Sequence, residues 1–249
     1  MINASQIART SKEAFVAENF SLIAQDVFRD VPPLFRLMQR WRPYICPFEL
    51  LVSEVPSGST VLDIGCGAGL FLGLLAMQGR RIHGVGVDSS PQAIRCAQRM
   101  SQVVNQREVG SRLQFQFLSC GQALPEGPFD VVAVIDVVHH IPCTDQERFL
   151  SSAIDRLAPG GRLVYKDMAL GPWWRHAANR VHDLVLARQW IQVAPVAMVR
   201  PWAESRGLTC LYSGEANRYC YGHEFAIFEK PRTAQAETPR RLQTVAAVD

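Results

Sequence analysis

Apolar positions along this chain follow two rhythms, and the switch between them marks out the elements. From Glu13 to Met38 the apolar residues Phe15, Phe20, Ile23, Val27 and Phe28 recur at mixed three- and four-residue spacing, which predicts helix. Pro32-Pro33 breaks that helix and opens a second over Leu34 to Trp41. Pro43 and Pro47 punctuate again, and Phe48 to Val55 reads as a third, short helix. The rhythm then changes. Val61, Leu62 and Ile64 form a compact apolar run, as in a parallel strand covered on both faces. The apolar stretch Leu70 to Met77 reads as the next helix. Further strands are predicted at Arg81–Asp88, Leu113–Leu118, Phe129–Ile135 and Leu163–Asp167, with helices at Pro91–Val104 and Asp145–Leu157 between them. Phe129–Ile135 is apolar throughout after Asp130, so it belongs at the centre of the sheet. Leu208–Ser213 and His223–Glu229 read as a closing antiparallel pair, joined by a loop over Gly214–Gly222. Strand and helix in alternation predict an α/β fold with a Rossmann-like sheet flanked by helices.

This layout divides the chain into an N-terminal helical extension (1–55), an α/β domain (56–230) and a disordered tail (231–249) rich in Pro, Thr, Gln and Ala. Residues 168–205 are longer than a plain crossover and read as an insertion on the substrate side. With 249 residues, 48% of them hydrophobic, one sizeable core is available. The net charge of +3 comes from 26 scattered basic residues against 23 acidic ones, without the basic stripe of a nucleic-acid binder. The seven cysteines are an odd set with no C-x-x-C pair, which predicts free thiols in a reducing cytoplasm and no metal site. No run of about eighteen apolar residues is present, so no membrane span is expected.

Candidate chemistry gathers where strands end. Asp63-Ile64-Gly65-Cys66-Gly67-Ala68-Gly69 turns from the first core strand into a helix. Alternate glycines let a ligand approach bare backbone at a helix N-terminus. The third glycine of G-x-G-x-x-G is not at the right distance, and Asp63 is poor company for a pyrophosphate but good company for an ammonium group. Asp88 closes the second strand about twenty residues further on, where a carboxylate can accept from both ribose hydroxyls. The fourth strand runs into Asp136-Val137-Val138-His139-His140-Ile141-Pro142. A histidine can take a hydroxyl proton at neutral pH, so His140 is the first candidate base, with His139 behind it. Both rings could equally serve only to fix the loop. Asp167 ends the fifth strand and could bind substrate, act as a second base, or cap the segment after it.

Four segments in order carry a resemblance. Asp63 to Gly69 resembles motif I of the class I S-adenosylmethionine-dependent methyltransferases. Asp136 to Pro142 resembles motif II with the histidine–histidine–proline loop of small-molecule members, and Leu157-Ala158-Pro159-Gly160-Gly161-Arg162-Leu163 resembles motif III. Asp88 holds the place of the ribose-binding acid. The resemblance spans about residues 57 to 230 and implies a seven-stranded methyltransferase sheet with S-adenosylmethionine as cofactor. It implies that Asp63, Gly65, Cys66, Gly67 and Gly69 hold the methionine end, that Asp88 and Ser89 hold the adenosine, and that Asp136 lies beside the sulfonium. One departure stands out. The acidic residue usually offered to the adenine amino group falls on Cys120, so Gly121 and Gln122 are expected to serve instead.

The acceptor side is sought in the aromatic stretch after the fifth strand, at Trp173, His176 and His182. The histidines favour O-methylation of a small molecule, with a carrier-bound acceptor as a further possibility; C- or N-methylation stays open. So does a non-catalytic S-adenosylmethionine-binding protein, and, further off, an NAD(P)-dependent oxidoreductase. The oligomeric state is not legible in the sequence.

Overall fold

The computed structural model describes residues 17–107, 110–169, 192–218 and 221–232. Its centre is a seven-stranded sheet in the order β3-β2-β1-β4-β5-β7-β6. The strands are β1 (Thr60–Ile64), β2 (His83–Asp88), β3 (Arg112–Phe117), β4 (Phe129–Ile135), β5 (Leu157–Met168), β6 (Thr209–Arg218) and β7 (Tyr221–Glu229). The first five run parallel, while β7 is antiparallel to both β5 and β6. The Rossmann-like, seven-stranded expectation is therefore met. The chain leaves β1 toward β2 on one side and returns to β4 on the other, so a topological switch point lies at the C-terminal end of β1, where α/β sheets bind ligands.

Helices cover both faces: α1 (17–27), α2 (Pro33–Ile45), α3 (Phe48–Val52), α4 (Leu70–Met77), α5 (Pro91–Arg107), α6 (Cys143–Ile154) and α7 (Val196–Ser205). One buried cluster joins Phe20, Val27, Phe28, Phe48 and Leu51 of the N-terminal helices to α4 and to Ile94 and Met100 of α5. The helical extension is thus part of a shared core. A second cluster on the opposite face joins β4 and β5 to α6 and to Val199 and Ala203 of α7. Residues 196–205 of the expected insertion are thereby an ordinary layer helix packed on the sheet.

Several boundaries differ from the sequence pattern, among them α2, which runs on through Pro43 to Ile45, and three further ones shape the sheet. Helix α6 starts at Cys143, just after Pro142, and ends at Ile154; Leu157 belongs to β5. The Pro159-Gly160-Gly161 turn is absorbed into β5 as a register shift between Phe129 and Val131 of its neighbour. Much of the stretch expected as a loop, Gly214 to Gly222, is hairpin strand, with Gly214 opposite Phe225 and Arg218 opposite Tyr221. Strand β6 is the sheet edge and mostly exposed, so its polar composition resembles that of a loop.

Candidate active site

The glycine turn forms because β1 must stop and reverse over a short distance. Gly65, Gly67 and Gly69 all adopt positive φ, at 71°, 55° and 82°. A side chain on Gly65 would put its Cβ 2.3 Å from Cγ2 of Val137, and one on Gly69 would meet the Phe115 ring at 2.6 Å. The turn is tied to the next strand: the N–H groups of Gly65 and Cys66 both donate to the Val87 carbonyl, at 2.8 and 3.0 Å. Asp88 completes the brace, accepting from Gly67 N and Ser90 N at 2.8 Å each. Each carboxylate oxygen has a second lone pair left for a ligand hydroxyl. Ser89 beside it is exposed, as are Gly121 and Gln122, where Gln122 Oε1 accepts from Ser119 N at 2.7 Å and folds that loop.

Asp63 is buried at 2% exposure. Burial pushes its carboxyl up to about 8, with Arg42 opposing and Asp88 adding to the rise. A cation brought against Asp63 therefore finds an acid whose charge the protein alone solvates poorly. The Cys66 thiol is likewise held well above its ordinary range by burial and by Asp63 and Asp88, so it is an inert wall rather than a nucleophile.

At the end of β4 the backbone turns into the left-handed region at Asp136, φ 57°. A non-glycine residue rarely holds that conformation unless its side chain is firmly engaged. Here Lys166 Nζ lies 2.5 Å from Asp136 Oδ1, and Arg42 Nη2 lies 3.6 Å from Oδ2. Burial alone would raise the Asp136 carboxyl; Lys166 and Arg42 outweigh it and hold the group well below the usual carboxylate range. Lys166 is 1% exposed, and its charge persists because Asp136 compensates its desolvation. His223 lies in the same cluster. Burial, then Lys166, lowers it to about 3, so it stays neutral, and its Nε2 donates to the Ile45 carbonyl at 2.6 Å. That bond and the Arg218–Glu49 ion pair fasten the end of α2 and α3 to the β6–β7 hairpin.

The histidine pair sits on the other face of the sheet. Its loop is a turn of 3-10 helix, Val138–His140. His139 is 2% exposed and its Nδ1 lies 2.5 Å from Asp167 Oδ1, while its backbone N–H donates to Oδ2 at 3.2 Å. Asp167 has no exposed surface and also accepts from Met168 N at 2.7 Å. Of the roles read from the sequence, the bond from Met168 N matches the cap on the following segment, and the buried carboxylate has no surface to offer a substrate; its contact with His139 is an arrangement the sequence did not suggest. His140 is exposed, and its ring centroid lies 4.0 Å from that of His139. The face opposite Lys166 thus carries a buried imidazole–carboxylate pair supporting an exposed imidazole.

The switch point therefore gathers Asp63, the glycine turn, Asp88 and Asp136, with the histidines alongside. Trp173, His176 and His182 lie outside the described residues. Three members of the cluster carry little or no mark in the sequence pattern that singled out the others. Lys166 could have been found: a lysine within an otherwise apolar central strand is anomalous. Arg42 is one of several arginines on its helix and carried no such mark, and His223 reads as an ordinary strand residue. Among the described residues no group of three or more His, Cys, Asp or Glu side chains is placed to hold a metal ion. No helix among them is long and apolar enough to cross a membrane.

The chain is similar to proteins already known. The ubiquinone biosynthesis O-methyltransferase of Xylella fastidiosa is 33% identical over 118 residues, covering 46% of this chain and 44% of that protein. The mitochondrial ubiquinone biosynthesis O-methyltransferase of Schizosaccharomyces pombe is 32% identical over 142 residues, covering 56% and 47%. The chain spans about half the length of the curated relatives it matches. Among solved structures, the magnesium protoporphyrin IX methyltransferase of Synechocystis superposes with a TM-score of 0.58 at 19% identity, over 74% of this chain and 81% of that one. The cyclase SpnF gives 0.58 at 15% identity, over 75% and 82%. At such identities the likeness speaks for the fold alone, and a cyclase on the same fold shows that fold does not choose the reaction. The family model described as a methyltransferase domain matches residues 35–213, from within α2 to the middle of β6, and this chain belongs to that family.

Proposed function

We propose that the chain transfers a methyl group from S-adenosylmethionine to a hydroxyl oxygen of a small molecule. The observation that carries the cofactor assignment is the side-chain-free turn at Gly65, Gly67 and Gly69, flanked by the buried Asp63 and braced by Asp88. The residues fit the group. Its ammonium suits Asp63, its carboxylate suits Arg42, its ribose hydroxyls suit Asp88 with Ser89 beside it, and its adenine suits the exposed Gly121–Gln122 turn. Gly67 leaves room beneath Arg42, whose Nη1 would stand 3.7 Å from a Cβ at that position. When bound, the cofactor supplies a methyl group on a positively charged sulfur, already bonded to a good leaving group.

The protein's own contribution is alignment, exclusion of water and removal of one proton. Alignment alone can be worth about 7–11 kcal/mol at its limit. Asp136, fixed by Lys166 and Arg42, shapes the floor between the cofactor's tail and the acceptor. His140 takes the hydroxyl proton, His139 packs against it, and Asp167 sets the orientation of His139. The names of two relatives support oxygen as the target, since those of Xylella and Schizosaccharomyces are O-methyltransferases. We extend the reading to the helices preceding β1 as a cover over the cofactor side, through Arg42, and to Trp173, His176 and His182 as acceptor-side residues. Transfer of label from methyl-labelled S-adenosylmethionine to a phenolic or quinol acceptor pool tests it. Asp88→Ala should lower cofactor affinity, and His140→Ala should lower turnover by about a hundredfold with cofactor affinity intact. Full turnover in both variants contradicts the assignment.

A further inference from the structure

Helix α2 presents its apolar residues outward. A helix on a protein surface ordinarily turns its apolar stripe to the core. In α2 the buried positions are Gln39 and Pro43, whereas Leu34, Leu37, Met38 and Trp41 are 67%, 52%, 41% and 58% exposed. Their i, i+3, i+4, i+7 spacing makes a single continuous stripe along the outer face. Leu22 of α1 is also 56% exposed. Isolated exposed leucines are common, but an apolar stripe on one helix marks a surface meant to be covered. Trp41 and Tyr44 stand with ring centroids 5.5 Å apart, a pair suited to a boundary that is apolar on one side and wet on the other.

The charges on the helix identify the occupant. Its sequence, PLFRLMQRWRPYI, holds three arginines and no acidic residue. Arg42 turns inward to Asp136, while Arg36 and Arg40 are exposed. Two copies of this face set against each other would bring arginine to arginine with nothing on the helix to neutralise them. An anionic surface answers both features at once. We propose that α2 docks the protein on an anionic lipid bilayer, with Leu34, Leu37, Met38 and Trp41 entering the headgroup–acyl boundary and Arg40, on the flank of that stripe, meeting lipid phosphate. The helix lies along the surface and does not span it. Because the same helix delivers Arg42 to Asp136, docking brings the end of the candidate site to the bilayer. The inference stands whether or not the proposed reaction is correct.

Flotation of the full chain with vesicles tests it. Vesicles of phosphatidylcholine with about 30% phosphatidylglycerol should carry the protein upward, pure phosphatidylcholine should do so far less, and added salt should weaken the binding. Arg40→Gln should reduce partitioning by about fivefold, as for one charge at an anionic surface. The double variant Leu37→Gln/Trp41→Gln should reduce it by about tenfold or more. Both sites are exposed, so circular dichroism and thermal midpoint should not change. Failure to float with the anionic vesicles overturns the proposal, as does flotation undiminished in the double variant. A dimer in sedimentation that the double variant dissolves overturns it too, in favour of a second copy as occupant.

Discussion

Replacing Asp63 by Asn separates what this carboxyl costs the fold from what it gives to binding. Burial moves it from an ordinary value of 3.8 to about 8 in the folded chain. Folding therefore takes up a proton at any pH between those two values. Stability is fullest below the unfolded pKa, falls as pH rises, and levels off once the folded carboxyl itself ionises near pH 8. About three pH units separate neutral pH from the unfolded value, at about 1.4 kcal/mol each, so the penalty at pH 7 has a ceiling of about 4 kcal/mol. At pH 5 the same arithmetic leaves about 1.5 kcal/mol. Asn is nearly isosteric and carries no such penalty. Ligand-free Asp63→Asn should therefore be more stable than the parent, with a gap that widens from pH 5 to pH 8 and then stays flat. Urea denaturation at pH 5, 7 and 8.5 reads it directly. The variant should lose affinity for S-adenosylmethionine in the same samples. A gap that does not depend on pH, or a variant less stable throughout, would mean that Asp63 is ionised in the fold and paired with Arg42. The picture of an acid awaiting a cationic ligand would then be wrong.

Other perturbations test the same geometry. Gly65→Ala must hold φ 71° and place its Cβ 2.3 Å from Val137, so it should cost about 2–4 kcal/mol and abolish cofactor binding. Gly79→Ala, at φ 73° with nothing within 4 Å, should cost only about 1 kcal/mol, and thermal melts of the two variants compare them directly. Lys166→Met leaves Asp136 with Arg42 as its remaining partner, and breaking a buried pair suggests a loss of about 3 kcal/mol by chemical denaturation. Because Asp136 is held below its ordinary pKa, its contribution is present above the unfolded value and is lost as the pH falls, so the acid arm of the parent's stability curve should flatten in this variant. Asp167→Asn should shift the pH profile of turnover without altering cofactor affinity, whereas a purely structural Asp167 would change only the melting point.

Most of the fold was legible because its signals are local. The run Phe129 to Ile135 is a buried central strand by composition alone, and β4 has those bounds. The glycine turn declared itself because positive φ at three alternate positions demands glycine. Less visible was anything decided across the sheet. Nothing near Arg42 in sequence marks it as the partner of Asp136, since the contact is made only when α2 folds over the end of β4. The separation of the two faces of β5 comes from strand alternation, which sends Lys166 toward Asp136 and Asp167 toward His139. The sequence reading names His140 the first candidate base with His139 behind it, and burial is what the pattern could not show: one ring is exposed and the other is buried against a carboxylate. The β6–β7 hairpin was underestimated in length because an exposed edge strand has no apolar face to betray it.

Titration calorimetry with S-adenosylmethionine, its demethylated product and a pyridine dinucleotide tests the central claim most directly. Saturable heat is expected with the first two, absent in Gly65→Ala and weakened at least tenfold in Asp88→Ala, which loses the brace to Gly67 and Ser90. No heat is expected with the dinucleotide. Binding of the dinucleotide, with silence from both sulfur nucleosides, would contradict the reading of the turn between β1 and α4 on which the proposed chemistry rests.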